Sequence, residues 1–189
     1  MSQITADRLS ELDSRLRSLR AEMRSLRAAQ PPQPVGEYRF ATLHGGVGLA
    51  ELFGTHDDLF IVHNMGRSCS YCTLWADGYN GLYPHIASRA AFVLVSPDTP
   101  EQQRSFAADR GWRFPMVSDA GTSFAADMGY VGANGGRTPG ISALRRNANG
   151  IVRLADTPSS PGDDFCPMWH FLDLLPEGAT GWSPRFRYG

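Results

Sequence analysis

Lysine is absent from this chain of 189 residues, and all 18 of its basic residues are arginines. The chain therefore lacks the lysine of a phosphate-binding loop, the Schiff-base lysine of pyridoxal enzymes and the lysine of a kinase. The formal net charge is only −1, which argues against electrostatic binding of nucleic acid or of a membrane surface. We expect neither nucleic acid nor a membrane as a partner.

Cysteine is scarce as well, and long apolar runs are missing. Three cysteines are too few, and an odd number, for the disulfide framework of a small secreted protein. No apolar run in the sequence approaches the length of a transmembrane helix. Residues 1–7 lack the basic and apolar regions of a signal peptide. Since 42% of the residues are hydrophobic, we expect a globular protein with a cytoplasmic location.

The first 29 residues are predicted to form a helix with a narrow apolar seam. Its six side chains, spaced three or four positions apart, are Leu9, Leu12, Leu16, Leu19, Met23 and Leu26. This leucine seam has the spacing of a coiled coil. A helix that is otherwise polar is marginal alone and must bury such a seam. We expect either a homodimer through residues 9–26 or docking of the helix on the chain's own globular part.

The prolines that follow the helix define the domain organisation. Residues 1–30 are predicted to be the amphipathic helix, because prolines at the next positions end it. Residues 31–36 read as a proline-rich linker. Residues 37–189 are then one domain, which is long enough to bury a core of its own.

Strand and helix signals alternate through this domain. The apolar runs Phe60–Val62 and Ala91–Ser96 predict buried strands. Thr99 followed by proline predicts the start of a helix, and an Asn-Ala-Asn-Gly segment predicts a hairpin turn. A last helix is predicted at about Asp164 to Leu174. Helices between strands and a closing hairpin predict an α/β fold, with a central mixed sheet flanked by helices.

Two cysteines separated by two residues follow the first buried strand. Ser68 can cap the next helix, which would place Cys69 in its first turn, where free amides and the helix dipole favour a thiolate. A thiolate is the form that attacks disulfides and peroxides. Cys72 lies one turn further along the same face and can form a disulfide with Cys69. The pair predicts thiol–disulfide exchange without a cofactor, with Cys69 as the nucleophile and Cys72 as the resolving thiol. We expect this helix to run to about residue 86, with a break at Gly78 or Gly81.

Two other classes of function fit the same residues. Zinc sites also use two cysteines at this spacing, and Cys69, Cys72, Cys166 and His170 would complete a tetrahedral set. Alternatively, the cysteines are ordinary buried thiols, and the chain is a redox-inert, dimeric interaction protein built on the leucine seam. The residues alone leave these alternatives open.

Four side chains near the pair have two interpretations each. Arg67 could stabilise the thiolate or hold a substrate carboxylate, or it could be a solvated surface residue. His63 could transfer protons, although a strand histidine is more often a hydrogen-bonded core residue. Trp75 could line a substrate groove, although its helical spacing favours core packing. For Asp77 a structural role is favoured over a chemical one.

The order of elements, with Cys-x-x-Cys after a central strand, resembles the thioredoxin superfamily. Residues 92–119 contain Val-Ser-Pro-Asp and later Phe-Pro-Met-Val-Ser-Asp, which resemble the alkyl-hydroperoxide-reductase branch. Residues 69–82 are similar to the signature Cys-x-x-Cys-x-x-Trp-Ala-Asp-Gly-x-Asn-Gly of a bacterial thioredoxin-like family of unknown function. The resemblance implies a thioredoxin-like fold with an N-terminal helical extension, and it assigns no reaction.

The resemblance also implies a substrate-binding position. Thr138-Pro139 matches the cis-proline that faces the cysteines in thioredoxins, where an extended substrate could pair with the backbone of Thr138. The implied partners are a disulfide-containing protein or a small thiol substrate, together with an external thiol reductant. Before Cys69 the peroxiredoxin pattern Pro-x-x-x-Thr-x-x-Cys is missing, so thiol peroxidase activity ranks below disulfide exchange.

Overall fold

The computed structural model describes residues 3–189. A short 3₁₀ helix spans Leu49–Phe53. The five α-helices of the described residues are α1 (Gln3–Ala29), α2 (Ser70–Ala87), α3 (Pro100–Arg110), α4 (Phe124–Asp127) and α5 (Met168–Leu172). The eight strands are β1 (Gln33–Val35), β2 (Arg39–Thr42), β3 (Gly45–Gly48), β4 (Asp58–His63), β5 (Ala91–Ser96), β6 (Met116–Ser118), β7 (Gly140–Asn147) and β8 (Gly150–Pro158).

All eight strands join one sheet in the order β1-β8-β7-β4-β5-β6-β2-β3. Strands β4, β5 and β6 are parallel to one another, whereas the remaining neighbours pair antiparallel. The predicted mixed sheet with flanking helices is confirmed. Because the three parallel strands end at the same edge, the loops that follow β4, β5 and β6 meet there. The candidate site lies at this edge.

The sheet separates two cores, since successive side chains of a strand point to opposite faces. Leu59 and Ile61 of β4 pack on one face, which the 3₁₀ helix and α4 cover with Phe53 and Phe124. Val62 packs on the other face, which is covered by α2 and by residues 166–172. Each candidate residue can therefore be assigned to one face of the sheet.

Helix α2 is continuous from Ser70 to Ala87, so the predicted break at Gly78 or Gly81 is wrong. Each glycine costs a helix about 1 kcal/mol relative to alanine. Trp75 and Tyr79 are each only 3% exposed, and burial of side chains of this size outweighs that cost.

Two segments differ from their predicted structure. The predicted linker at residues 31–36 contains β1, which pairs with β8 in the register Pro34↔Val152. Proline is compatible with this position because β1 is an edge strand, where one side makes no ladder hydrogen bonds. The last helix is only Met168–Leu172, and Pro167 is its N-terminal cap residue, a place where proline's missing N–H removes no helical hydrogen bond.

Helix α1 forms as predicted, but the chain's own domain does not cover its leucine seam. The six seam side chains are between 42% and 60% exposed. The helix contacts the domain along one flank of the seam, where Arg20 pairs with Asp164 and Arg27 lines an apolar groove. Neither α1 nor any other helix within residues 3–189 is both long and apolar enough to cross a membrane.

Candidate functional site

Cys69 is the residue that caps α2. Its backbone is extended (φ −95°, ψ 106°), and its Sγ accepts a hydrogen bond from the Cys72 N–H at 3.1 Å. The cap therefore lies one position later than the predicted cap, Ser68. Ser68 is instead part of a turn before the helix, in which the Cys69 N–H donates to the Gly66 carbonyl at 3.1 Å. The sulfur itself occupies the position at which a helix binds an anion.

The pKa values of the two thiols are shifted in opposite directions. The pKa of Cys69 is lowered from 9.0 to about 6 by the hydrogen bond from the Cys72 thiol, and further by the backbone N–H groups of Cys72 and Tyr71. The pKa of Cys72 is raised by its hydrogen bond to Cys69 and by burial. Cys69 is partly exposed and Cys72 is 3% exposed. The accessible thiol is thus the one that ionises near neutral pH.

The loop between β4 and α2 is fixed by its own backbone geometry. The Asn64 side-chain oxygen accepts the Gly66 N–H at 2.8 Å, which is an Asx turn. Gly66 has a φ of +104°, a backbone angle at which any other residue type would be strained. An added Cβ there would approach the Asp98 carboxylate to 3.2 Å. These constraints define where Cys69 begins the helix.

Asp98, two residues after the end of β5, is hydrogen-bonded to this loop. Its carboxylate accepts the Arg67 N–H at 2.8 Å and the Ser96 hydroxyl at 3.1 Å. The Arg67 guanidinium also pairs with Asp98, at 3.9 Å, and its side chain is 55% exposed. The charge partner of Arg67 is therefore Asp98. Asp98 is the acid of the Val-Ser-x-Asp pattern, and nothing in that pattern alone indicates that it binds the loop before Cys69.

Aromatic side chains cover the α2 side of the pair. Tyr71, which lies between the two cysteines, stacks on Trp169 with ring centroids 6.1 Å apart. Trp75 is 3% exposed, packs against Trp169, and donates from Nε1 to Asp163 Oδ1 at 3.1 Å. Trp75 is a core residue, so it is not available to line a substrate groove.

The polar residues of the signature segment hold neighbouring elements. Asp77 accepts hydrogen bonds from Trp112 Nε1 at 2.8 Å and from Arg110 Nε at 3.1 Å. Asn80 bonds the Gly111 carbonyl at 3.0 Å and the Arg113 N–H at 2.9 Å. Both side chains bind the segment that connects α3 to β6. The structural role favoured for Asp77 agrees with these contacts.

Thr138 and Pro139 reach the edge of the sheet where β4 ends, because the next residue, Gly140, pairs with His63. The expectation of a cis-proline is wrong: within residues 3–189 every peptide bond is trans. The Thr138 N–H donates to the Tyr130 carbonyl at 3.0 Å, so this donor is already used. The Tyr130 carbonyl thus holds the backbone of this segment.

A buried ion pair lies directly before this segment. Arg137 Nη1 donates to Asp119 Oδ2 at 2.7 Å, and the Asp119 side chain is 0% exposed. Asp119 Oδ1 has no hydrogen-bond partner among residues 3–189. The pair joins the end of β6 to the start of β7 at the edge that carries Cys69. Its sequence signal was weak, since the two residues are 18 positions apart.

His63 points to the face opposite α2, as the alternation along β4 requires. Its ring stacks on Tyr130 with centroids 3.7 Å apart, and its Nε2 lies 3.0 Å from Ser142 Oγ. Burial, together with the positive charges of Arg137 and Arg153, lowers its pKa from 6.5 to about 3. His63 is therefore a neutral core residue, and proton transfer by it is not part of the function we propose.

We expect His63 to make the folded protein sensitive to acid. Its folded pKa is about 3 and its unfolded pKa is about 6.5, so the unfolded chain binds the proton first as the pH falls. The free energy of unfolding then decreases from about pH 6.5 to about pH 3, by at most about 1.4 kcal/mol per pH unit for this group. In urea unfolding curves, His63→Gln reduces this dependence, whereas His44→Gln, at an exposed position, retains it. Equal pH dependence in wild type and His63→Gln would contradict the assignment.

The structure does not bring together the four residues of the alternative metal site. Within residues 3–189 no three histidine, cysteine or acidic side chains converge as metal ligands. Cys166 is 2% exposed and packs in the core with Trp169. His170 is half exposed and lies 3.8 Å from Asp164. Cys166 and His170 thus do not join Cys69 and Cys72 in one set of ligands.

Known structures similar to this fold are thioredoxin-fold peroxiredoxins. Peroxidoxin BcpB from Mycobacterium tuberculosis superposes with a TM-score of 0.58 at 22% identity, covering 68% of this chain and 84% of that one. A peroxiredoxin Q from Xanthomonas campestris gives 0.55 at 20% identity, with 65% and 80% covered. Reduced Prx3 from Vibrio vulnificus, in complex with hydrogen peroxide, gives 0.55 at 16% identity, with 71% and 87% covered. At these identities the likeness confirms the predicted thioredoxin-like fold.

Sequence comparison agrees with the resemblance seen in the cysteine segment. No curated protein matches the chain. The family model described as "Bacterial protein of unknown function (DUF899)" matches residues 6–184, which include most of α1, the Cys-x-x-Cys segment and the aromatic side chains that cover it. The chain therefore belongs to this bacterial family, DUF899.

Proposed function

We propose that the chain is a thiol–disulfide oxidoreductase in which Cys69 is the nucleophile and Cys72 the resolving thiol. One observation carries this proposal: a partly exposed sulfur caps α2, accepts the Cys72 N–H at 3.1 Å, and has a pKa of about 6. At neutral pH this sulfur is mostly thiolate, the nucleophile of disulfide exchange. The thioredoxin-like fold of its structural neighbours supports the same chemistry.

The reaction has two exchange steps. The Cys69 thiolate attacks one sulfur of a substrate disulfide, forms a mixed disulfide, and releases the other sulfur as a thiolate. Cys72 then loses its proton and attacks Cys69 Sγ, which forms the Cys69–Cys72 disulfide and releases the second substrate thiolate. The substrate gains two electrons, and an external thiol reductant returns two electrons to the pair.

The order of the steps follows from the hydrogen bond between the two thiols. That bond is the first cause of both the lowered pKa of Cys69 and the raised pKa of Cys72. Once Cys69 is held in a mixed disulfide, the thiolate that accepted this bond no longer exists. Cys72 then ionises more easily, so it becomes a nucleophile only after Cys69 has reacted.

Mixing the reduced protein with a chromogenic aromatic disulfide tests the proposal. Wild type releases two aromatic thiolates per chain and ends as the Cys69–Cys72 disulfide. Cys72→Ser releases one and retains the mixed disulfide on Cys69, which mass spectrometry detects. Cys69→Ser reacts at least about a hundredfold more slowly, because the remaining thiols are buried and protonated.

Cys166→Ser is the matched control, since Cys166 is also buried and its thiol is not among the causes of the lowered pKa of Cys69. This variant releases two thiolates, as wild type does. Wild-type release by Cys69→Ser would overturn the proposal. The fluorescence of Trp75 and Trp169, which contact Tyr71, supplies a second readout when the pair is titrated against redox buffers.

Thiol peroxidase activity is the second candidate, favoured by the peroxiredoxin neighbours. Here the Cys69 thiolate would attack a hydroperoxide, forming a sulfenic acid and releasing an alcohol or water. Cys72 would then form the disulfide and release water. Replacing the aromatic disulfide by hydrogen peroxide in the same experiment separates the two, because a peroxidase forms the trappable sulfenic acid in Cys72→Ser far faster than an ordinary thiolate of similar pKa reacts with hydrogen peroxide.

A further inference from the structure

The leucine seam of α1 is an apolar surface that no other element of residues 3–189 covers. Its six side chains are 42% to 60% exposed, although α1 lies next to the domain through Arg20 and Arg27. A spacing of three and four residues over nearly three heptads is the pattern by which two helices pack knobs into holes. The seam therefore has the pattern of a surface that packs against a second helix.

The charges on both sides of the seam show which helix fits. Arg8, Arg15 and Glu22 precede the seam residues on one flank. Asp13, Arg20 and Arg27 follow them on the other flank. In a coiled coil the flanking side chains pair across the interface and determine orientation. In a parallel pair opposite flanks meet, whereas in an antiparallel pair each flank meets its own copy.

A parallel pair of α1 helices contains like charges. It would place Arg8 beside the partner's Asp13 and Glu22 beside the partner's Arg27, which is favourable. It would also place Arg15 beside the partner's Arg20, and symmetry repeats this contact. Like charges at such positions are destabilising.

An antiparallel pair of the same helices has only favourable flanking contacts. Leu16 faces the partner's Leu19, and Leu9 faces the partner's Leu26, so all seam residues are matched. Arg15 then lies beside the partner's Glu22, and Asp13 lies beside the partner's Arg20, each contact occurring twice. The pairing of Arg20 with Asp164 does not prevent this, since both side chains are at least 40% exposed and such pairs are weak.

We propose that the leucine seam binds the same seam of a second copy as an antiparallel coiled coil, making the protein a homodimer. This assembly is independent of the reaction at Cys69. Residues 9–26 of the two copies form the interface, and the two-fold axis passes between Leu16 and Leu19. The globular domains then lie at opposite ends of the paired helices, because each is connected to the C-terminal end of its own α1.

Sedimentation equilibrium of the full chain tests the interface. Wild type is a dimer, and Leu16→Glu combined with Leu19→Glu raises the dissociation constant at least about a hundredfold. The seam is exposed in the single chain, so this variant retains the wild-type thermal transition of the domain. A monomeric wild type at micromolar concentration would overturn the proposal.

Charge reversal tests the orientation, because the two arrangements predict opposite results. Arg15→Glu places two like-charge pairs in the antiparallel dimer and weakens it about tenfold. Adding Glu22→Arg restores the wild-type dissociation constant. Arg24→Glu, on the helix surface away from the seam, is the control and changes nothing. A lower dissociation constant for Arg15→Glu would indicate the parallel arrangement. An unchanged dissociation constant would show that the charged flanks do not meet. Either result refutes the antiparallel dimer.

Discussion

Iodoacetamide modifies Cys69 in the folded protein with a midpoint near pH 6, whereas Cys72 and Cys166 stay unmodified until the chain unfolds. This is the expected result because Cys69 is the partly exposed cysteine with a pKa of about 6. The pKa values of Cys72 and Cys166 are raised, and both are at most 3% exposed. Peptide mass mapping after short alkylation measures the selectivity, which we expect to exceed about a hundredfold.

Acidic pH shows the largest contrast with an ordinary thiol. A cysteine of pKa about 8.5 has almost no thiolate at about pH 5.5, while a group of pKa about 6 is roughly one quarter ionised. The nucleophilicity of a thiolate decreases with its pKa and removes part of this advantage. The net result is that Cys69 reacts about tenfold faster than an unperturbed cysteine at this pH.

Two substitutions at position 72 identify the cause of the low pKa. Cys72→Ala removes the thiol that is the largest contribution to it, so the alkylation midpoint of Cys69 rises. Cys72→Ser keeps a side-chain donor, and the midpoint rises less. Cys166→Ala serves as the control and leaves the midpoint unchanged. A wild-type midpoint near 9, or no change in Cys72→Ala, would contradict the assigned role of the Cys72 thiol.

Features coded by neighbouring residues could be predicted from the sequence. Helix α3 begins where expected: the Thr99 side chain accepts the Gln102 N–H, and Pro100 occupies the first helical position. Strands β4 and β5 form around the predicted apolar runs. Caps and apolar periodicity depend on residues within one turn, so a short window of sequence contains the information they need.

The candidate site depends on contacts between distant segments, which a short window of sequence does not contain. Asp98 binds the loop before Cys69 from 31 positions away, and Asp163 binds Trp75 from 88 positions away. The pattern at Trp75 could therefore show burial but not the segment that covers it. The resemblance at Thr138-Pro139 covers only two residues and could not establish that the Pro139 peptide bond is trans.

Arg137→Ala lowers the free energy of unfolding by about 3–5 kcal/mol, because it leaves the buried Asp119 carboxylate without its charge partner. Asp119 is 0% exposed, and its Oδ1 lacks a hydrogen-bond partner among the described residues. The remaining Oδ2 would lose its bond of 2.7 Å to Arg137.

Combining Arg137→Ala with Asp119→Asn separates the loss of a charge partner from loss of packing. Removing the carboxylate removes the uncompensated charge, so the double variant recovers part of the stability lost in the single one. The matched control is Arg17→Ala, which breaks the exposed pair with Asp13 on α1 and costs at most about 0.5 kcal/mol. Guanidinium unfolding followed by circular dichroism measures wild type, Arg137→Ala, Asp119→Asn, the double variant and Arg17→Ala. If the double variant lost as much unfolding free energy as the two single variants together, Arg137 would act through packing. The buried ion pair would then not be the interaction that joins the end of β6 to the start of β7.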